Sequence, residues 1–337
     1  MAKCYINGIG TIVAQDALLA ADLYMPLTEH VTFAVQPDYK SLIAPNMIRR
    51  MARGVKMGIY AAQVALNEAE VTIPDAVITG TGLGCIEDSE KFLKTILDND
   101  EQFLTPTSFI QSTHNTVGAQ IALRLQCKGY NFTYVNRDSS FEMALLDGLL
   151  QVQQNEAKQV LIGGIDELSA DTIKLLQIAE IIRSDKNTNA AVYSEGANFY
   201  VLSETQSEAT YAEVLDVEIA NSVSDLKAWI DTFLNRNNKT IAQIDAVVLG
   251  LNADFRNESS NSEILSFFPT QTILHYKHVI GQYDTASAFG FGLAAQLLKH
   301  QKVSKTFVYK DGNNQPKLVL VVNQNHEKDF SLVLIQR

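Results

Sequence analysis

Short apolar runs alternate with longer stretches of helical periodicity along this chain of 337 residues, and this alternation limits the folds open to it. Apolar runs typical of buried strands lie at residues 4–13, 75–80, 131–136, 159–164 and 197–203, with a continuation at 210–219. Stretches with helical spacing lie between them at residues 45–68, 88–98, 115–126, 139–153 and 170–182. Strands that alternate with helices predict an α/β fold with mostly parallel sheets covered by helices.

The second part of the chain repeats this order more briefly. It contains, in order, a helix at 223–236, a strand at 245–251, a helix rich in small residues at 285–300, and strands at 304–310, 316–323 and 330–336. Two parts of similar order suggest an internal duplication. We therefore predict two halves, residues 1–205 and a shortened second half at 206–337, joined in one compact unit.

Composition excludes several classes of partner. The formal net charge is −11, so the chain has no excess of cations to displace counterions from a nucleic acid, and we expect no nucleic-acid partner. No stretch approaches the roughly 18 uninterrupted apolar residues of a membrane span, and the first residues lack the apolar core of a secretion signal. We expect no membrane association and a cytoplasmic protein.

Cysteine usage indicates neither disulfides nor a metal. Cys4, Cys85 and Cys127 are scattered, odd in number and without CxxC spacing. Cys85 follows the glycine-rich loop at 80–84 but has no matching histidine motif, so a small packed residue is the simpler interpretation. The glycine loop has neither the lysine of a phosphate loop nor the spacing of a dinucleotide fingerprint. We expect no cofactor and no metal.

Several ordered motifs resemble those of the β-ketoacyl-acyl-carrier-protein synthases, a family of the thiolase-like superfamily. The opening Ile6-Asn-Gly-Ile-Gly is similar to the family's first strand, and Thr79-Gly-Thr-Gly-Leu-Gly to its glycine loop. Further similar segments are Ile43-Ala-Pro-Asn-Met-Ile-Arg-Arg-Met, Gly163-Gly-Ile-Asp-Glu and Ser194-Glu-Gly-Ala-Asn. The resemblance covers most of the chain and implies a thiolase-like fold of two duplicated halves in a layered αβαβα arrangement.

The resemblance also shows that the catalytic set of the family has changed here. Its chemistry needs a cysteine thiolate, two histidines and a lysine, with donors directed at developing negative charge. Asp138 stands at the cysteine position, Asp254 at that of the first histidine and Gln282 at that of the second, while Lys277 retains the lysine. The family's glycine-rich gating loop is replaced near residues 323–328. Two carboxylates at a site that must stabilise negative charge argue against condensation, and the question of whether the chain is an enzyme stays open.

Structural interpretations of these residues stand beside the functional ones. Asp138 precedes a helix, where an aspartate caps free backbone N–H groups, and Ser139 with Glu142 matches a capping box. Lys277 would neutralise the former active site by pairing with Asp138 or Asp254. His114, Asn115 and Phe141 are expected at the dimer interface or in the acyl tunnel, with a structural role for His114 as the alternative.

The function that this resemblance implies is that of a chain-length factor, a non-condensing relative that pairs with an active ketosynthase in fatty acid, polyketide or pigment synthesis. The expected partners are an active ketosynthase subunit or a second copy of this chain, together with an acyl carrier protein. Two alternatives remain open. The chain could be an acyltransferase-type enzyme that decarboxylates an acyl thioester, or a homodimer that binds acyl groups without chemistry.

Overall fold

The computed structural model describes residues 2–16, 24–104, 106–252, 254–312, 315–325 and 328–337. The strands are β1 (Tyr5–Ile12), β2 (Ala76–Gly80), β3 (Tyr130–Tyr134), β4 (Gln159–Asp166), β5 (Gly196–Ser203), β6 (Ala212–Ala220), β7 (Ala246–Leu249), β8 (Thr272–His275), β9 (Val308–Lys310), β10 (Leu318–Asn325) and β11 (Lys328–Gln336). The helices are α1 (Pro45–Ile48), α2 (Arg53–Glu68), α3 (Ile86–Asp98), α4 (Pro106–Ser112), α5 (Thr116–Leu125), α6 (Ser140–Gln153), α7 (Ala170–Ile178), α8 (Leu226–Arg236), α9 (Glu258–Phe267), α10 (Lys277–Ile280) and α11 (Ser287–His300).

The strand order repeats in the two parts of the chain. The strands follow the order β3-β2-β4-β5-β1-β6-β11-β10-β7-β8-β9. The first half-sheet, β3-β2-β4-β5-β1, therefore has the same order as the second, β8-β7-β10-β11-β6, with β9 added at its outer edge. Strands β1 and β6 join the half-sheets, with Tyr5 opposite Glu213 and Ile6 opposite Ala212. This repeat agrees with a duplication, and the predicted boundary at 205/206 falls between β5 and β6.

The sheet is mixed, and the predicted mostly parallel arrangement holds for four of the five equivalent strands in each half-sheet. The parallel pairs are β2–β3, β2–β4, β7–β8 and β7–β10. Strands β5 and β11 are antiparallel to both of their neighbours in each half-sheet. Strand β11 follows β10 in a tight hairpin rather than after a crossover helix, and hairpin-linked strands must be antiparallel.

Helices cover both half-sheets and also lie between them. Helices α2 and α5 pack with the first half-sheet in one apolar cluster, and α8 and α9 pack with the second half-sheet in another. The central cluster contains Phe141 and Leu145 of α6 and Phe291 and Leu298 of α11, together with residues of both half-sheets. This gives the predicted αβαβα layers.

Two glycines of the first motif explain how α2 approaches β1. A Cβ at Gly8 would lie 2.0 Å from the carbonyl oxygen of Ala65, and one at Gly10 would lie 1.9 Å from that of Ala61. Any larger residue would push the helix away from the strand.

Several predicted boundaries differ from the observed ones. The helices predicted within 45–68 are α1 and α2, separated by residues 49–52, and the strand predicted at 304–310 begins as a 3₁₀ turn at Lys305–Phe307. Strand β8 and helix α9 had no predicted counterpart, since a strand of four residues is too short for a clear period. In the described residues, no helix combines the length and apolarity that a bilayer crossing requires.

Candidate functional site

Asp138 lies in a tight turn between β3 and α6. The turn is a 3₁₀ helix, Arg137–Ser139, and Arg137 has a φ of 47°. The hydroxyl of Ser140 holds the turn, because it accepts a hydrogen bond from the backbone N–H of Asn136 at 2.8 Å and donates to the carbonyl of Thr81 at 3.0 Å. Asp138 lies in this turn, after the end of β3, and is buried.

Side-chain amides bind the Asp138 carboxylate. Gln282 donates from Nε2 to Oδ1 at 3.2 Å, and Asn325 donates from Nδ2 to Oδ2 at 2.7 Å. The N-cap residue of α6 is Ser139, which makes no side-chain capping bond. The predicted capping box is therefore wrong, because the Glu142 carboxylate instead accepts a bond of 3.0 Å from the Ser331 hydroxyl.

Asn252 connects Gln282 and Asp254, the residues that the resemblance predicts at the two histidine positions. Its Nδ2 donates to Oε1 of Gln282 at 3.3 Å, and its Oδ1 accepts from the backbone N–H of Asp254 at 3.2 Å. The structure thus brings Asp138, Gln282 and Asp254 into one chain of hydrogen bonds. Sequence reasoning missed Asn252 and Asn325, although one directly follows an apolar strand and the other lies in the segment that replaces the gating loop. That segment also includes residues 326–327, which lie outside the described part of the chain.

Asp254 is held by its own neighbour Arg256. The guanidinium Nε donates to Oδ1 at 2.8 Å, and Nη2 contacts Oδ2. This hydrogen bond and the negative charge of Asp254 raise the pKa of Arg256. The arginine was not singled out from the sequence, and it neutralises the carboxylate that was considered as a partner for Lys277.

Lys277 opens α10 and is buried. Burial lowers its pKa, and the nearby carboxylates of Asp138, Glu142, Asp284 and Asp254 oppose that change. A Cβ at Gly250 would lie 3.2 Å from the lysine Nζ. The lysine therefore lies in the same buried cluster as the three altered positions.

A second buried aspartate fixes the two loops that frame the site. Asp166, at the end of β4, accepts through Oδ1 from the hydroxyl of Thr81 and the backbone N–H groups of Gly82 and Leu83, at 2.8–3.2 Å. Through Oδ2 it accepts from the N–H and the hydroxyl of Thr285, both at 2.8 Å. One carboxylate thus joins the glycine loop of the first half to the loop that carries Gln282 in the second.

A cavity of about 450 Å³ opens beside Asp138. One wall is apolar and includes Leu168, Leu175 and Leu176, and the polar lining includes Asp284 and Arg256. Desolvation, followed by the charges of Asp138 and Asp166, raises the pKa of Asp284 well above its ordinary value. Among the described residues, the lining contains five carboxyl groups and three cationic side chains, and burial raises the pKa of three of the carboxyl groups, Asp166, Glu167 and Asp284.

The three residues predicted at an interface or tunnel lie in different settings. His114 and Asn115 are exposed between α4 and α5, and the His114 ring lies over Gly84. Phe141 is 1% exposed and packs against Tyr200 and Phe291 in the central core. Phe141 therefore has no exposed surface that could form an interface, because α6 directs its side chain into the core.

Cys85, the other nucleophile candidate from the sequence, does not supply a reactive thiolate. Cys85 is fully buried, and burial raises the pKa of its thiol far above neutral. Among the described residues, no group of three or more histidines, cysteines or carboxylates is arranged to hold a metal ion. What the site offers is a buried polar cluster bound by amides and an arginine.

Comparisons with known proteins agree with this fold. The sequence profile described as "Beta-ketoacyl synthase, N-terminal domain" matches residues 31–207. By sequence alone, no curated protein matches the chain.

Solved structures match over nearly the whole chain. "The ishigamide ketosynthase/chain length factor" matches with a TM-score of 0.79 and 17% identity over 99% of both chains. A ketosynthase, ApeO, in complex with its chain length factor, ApeC, from Xenorhabdus doucetiae matches with a TM-score of 0.77 and 14% identity over 99% of this chain and 98% of that one. The type II acyl-carrier protein complex AntDE:AntF, with its ketosynthase bound to the hexaketide, matches with a TM-score of 0.76 and 14% identity over 100% and 99%. These likenesses confirm the predicted thiolase-like fold.

Proposed function

The chain belongs to the β-ketoacyl synthase family, and on this premise we propose that it is a non-condensing subunit, similar to a chain-length factor, that pairs with an active ketosynthase. The observation that carries this proposal is the hydrogen-bonded cluster in which Gln282 binds Asp138 and Asn252 links Gln282 to Asp254, the three positions that the resemblance assigns to catalysis. Because these side chains hydrogen-bond to one another in the interior, the cluster supports a structural role for them within the family's fold.

The chemistry of the cluster argues against condensation. Acyl transfer by this family needs a thiolate that holds the acyl chain, and a buried carboxylate bound by two amides is a poor substitute. Decarboxylation and condensation also build up negative charge, which needs free donors directed at it. Here the amide of Gln282 already donates to Asp138, and the guanidinium of Arg256 already donates to Asp254, so neither donor is free.

The partner is proposed from the structural matches. Two of the similar structures are described as a ketosynthase with a chain length factor, and a third as a carrier protein in complex with its ketosynthase. We propose that this chain likewise binds a cysteine-bearing ketosynthase, and that the assembled pair receives acyl groups from an acyl carrier protein. The pathway would be fatty acid, polyketide or pigment synthesis.

Two measurements test the proposal. Co-expression with a cysteine-bearing ketosynthase from the same source is expected to give a stable heterodimer in size-exclusion chromatography with light scattering. The purified chain alone is expected to release no carbon dioxide from malonyl-acyl carrier protein. Release of carbon dioxide would establish the decarboxylase alternative, and a stable homodimer that ignores the ketosynthase would establish the acyl-binding alternative.

A further inference from the structure

We infer that the free edge of β1, in a cleft between α2 and α11, is a docking site for an extended peptide segment of a partner protein that carries a lysine or arginine. Among the described residues, the cleft shares no lining residue with the cavity beside Asp138. The site therefore lies outside the proposed function and can be tested without a ketosynthase.

Strand β1 is paired along one side, and its other side becomes a free edge after Ile6. Strand β5 lies opposite β1 as far as Ile12. On the other side, the register with β6 consists of Tyr5 and Ile6, and the backbone N–H of Ile9 donates instead to Oε2 of Glu68 in α2, at 2.8 Å. The two half-sheets thus diverge after the first residues of β1.

The backbone groups of Thr11 point into the cleft. In an antiparallel pair, the N–H and C=O groups of alternate residues face opposite sides of the strand. Because Ile9 donates away from β5, Thr11 also directs its N–H and C=O away from β5. The next residue in this alternation, Val13, accepts a bond of 2.9 Å from the N–H of Val35. Among the described residues, no group bonds to Thr11 between these two contacts, so this part of the edge is open to a ligand strand.

The shape of the cleft suits one extended chain. Its volume is about 580 Å³, with Tyr60 and Val64 of α2 on one wall and Phe289 and Leu293 of α11 on the other. An added strand makes main-chain hydrogen bonds to an edge and places alternate side chains in the flanking pockets. Helices on both sides of Thr11 therefore favour a single peptide strand over the edge of another sheet.

Glu68 is a preorganised acceptor beside this edge. Besides the N–H of Ile9, its carboxylate binds the hydroxyl of Tyr211, which donates at 2.5 Å. Desolvation and this bond raise the pKa of Tyr211, which keeps the phenol neutral and donating. Lys299 lies over the ring of Tyr211, but its ammonium donates to the carbonyl of Ala209. The carboxylate is thus fixed in place without a cation in the described lining of the cleft.

Charge in the cleft selects the side chain that the peptide carries. The charged side chains of the described lining are Asp16, Asp38 and Glu68, and all three are acidic. Tyr60 and Tyr211 add aromatic faces, which attract cations. Complementary charge favours the matching partner, and like charge repels the wrong one. A lysine or arginine in the peptide therefore fits the cleft, and a glutamate does not.

Two synthetic peptides test the charge selection. Thr-Val-Lys-Val-Thr and Thr-Val-Glu-Val-Thr, each with a neutral fluorophore at the N-terminus and an amidated C-terminus, are titrated with the full chain at low salt, and fluorescence anisotropy measures binding. The lysine peptide is expected to bind at least about tenfold tighter than the glutamate peptide. Glu68→Gln should reduce this preference at least about threefold. Glu156→Gln, at an exposed position outside the cleft, is the matched control and should leave it unchanged.

Backbone pairing is tested separately. Two lysine peptides are N-methylated, each at one set of alternate amides, and the one whose methyl groups face β1 should bind at least about tenfold more weakly than the other. Thr11→Pro should weaken binding of the unmethylated peptide to a similar degree. It removes the free N–H and spares the pairing with β5, because that N–H faces away from β5. Thr11→Val keeps the N–H and is the matched control, with binding like that of the wild type. Melting curves check that both variants fold.

Three results would each overturn the inference. They are the absence of binding by either peptide at millimolar concentration, equal binding of the lysine and glutamate peptides, and unchanged binding of the lysine peptide by Thr11→Pro. If Thr11→Pro does not fold, the N-methylated peptides decide, and equal binding of the two excludes strand pairing. Failure of the proposed function is seen separately, in the co-expression with a ketosynthase.

Discussion

Asn325 donates a hydrogen bond of 2.7 Å to the carboxylate of Asp138, across 187 residues of sequence. The bond joins the end of β10 in the second half to the nucleophile turn of the first. The bond thus ties the end of β10 directly to Asp138, the residue that the resemblance predicts at the nucleophile position.

Removing the Asn325 amide is expected to destabilise the fold. Asn325→Ala takes a donor from a buried carboxylate, which costs about 1–3 kcal/mol in the free energy of unfolding. Urea denaturation measures this loss, and a double-mutant cycle with Asp138→Asn should show a coupling energy of at least about 0.5 kcal/mol. Asn67→Ala, on the exposed face of α2, is the control and should change stability by less than about 0.5 kcal/mol. Additive effects of the two site variants would show that the bond contributes nothing.

Restoring the thiol alone is not expected to restore condensation. Asp138→Cys places a cysteine at the predicted nucleophile position, while Asp254 and Gln282 stay at the two predicted histidine positions. Loss of a single oxyanion donor costs about 100-fold or more in rate, so the variant should condense at least about 100-fold more slowly than a cysteine-bearing ketosynthase. Product formation from acyl- and malonyl-carrier protein measures this, with Asp138→Ser as the thiol-free control. Condensation at a comparable rate would show that the histidine positions are dispensable here.

The sequence predicted the α/β layers, but it did not predict that two strands run against their neighbours. Alternating strands and helices identify an α/β fold, but the pattern does not say in which direction a strand runs. Strands β5 and β11 are therefore antiparallel without any local sign in their composition. Motif order was enough to indicate Asp138, Asp254 and Gln282, which the structure brings together through Asn252.

The amides and arginine around these positions were harder to predict. Asn325 is far from Asp138 in sequence and belongs to no motif, so only the folded hairpin of β10 and β11 shows the contact. Arg256 is two residues from Asp254, yet a short spacing in a loop does not reveal whether two side chains meet. The inward direction of Phe141 likewise depends on how α6 packs against α11.

Asp166 is expected to be the most sensitive of the buried carboxylates. Asp166→Asn replaces an oxygen that accepts hydrogen bonds with an NH₂ group that faces donors, in either orientation of the amide. The expected cost is about 2–4 kcal/mol in the free energy of unfolding. Urea denaturation followed by circular dichroism checks this value, and the exposed Asp171→Asn is the control. A loss below about 1 kcal/mol would show that the two loops hold together without this carboxylate.

Glu142 is expected to make the stability of the fold depend on pH. Burial raises the pKa of its carboxyl to about 7, whereas an unfolded glutamate titrates near 4.3. Between these values the folded state binds the proton and the unfolded state does not, so the free energy of unfolding falls as pH rises through this window. Glu142→Gln keeps an acceptor for the Ser331 hydroxyl and removes the titration. Relative to the wild type, its stability should therefore improve by about 1–3 kcal/mol between pH 4.5 and pH 8. Urea denaturation across this range measures the difference. The free energy of unfolding of the control Glu156→Gln, at an exposed position, should change with pH as that of the wild type does. A constant difference for Glu142→Gln would mean that this carboxyl keeps the same protonation state throughout the range.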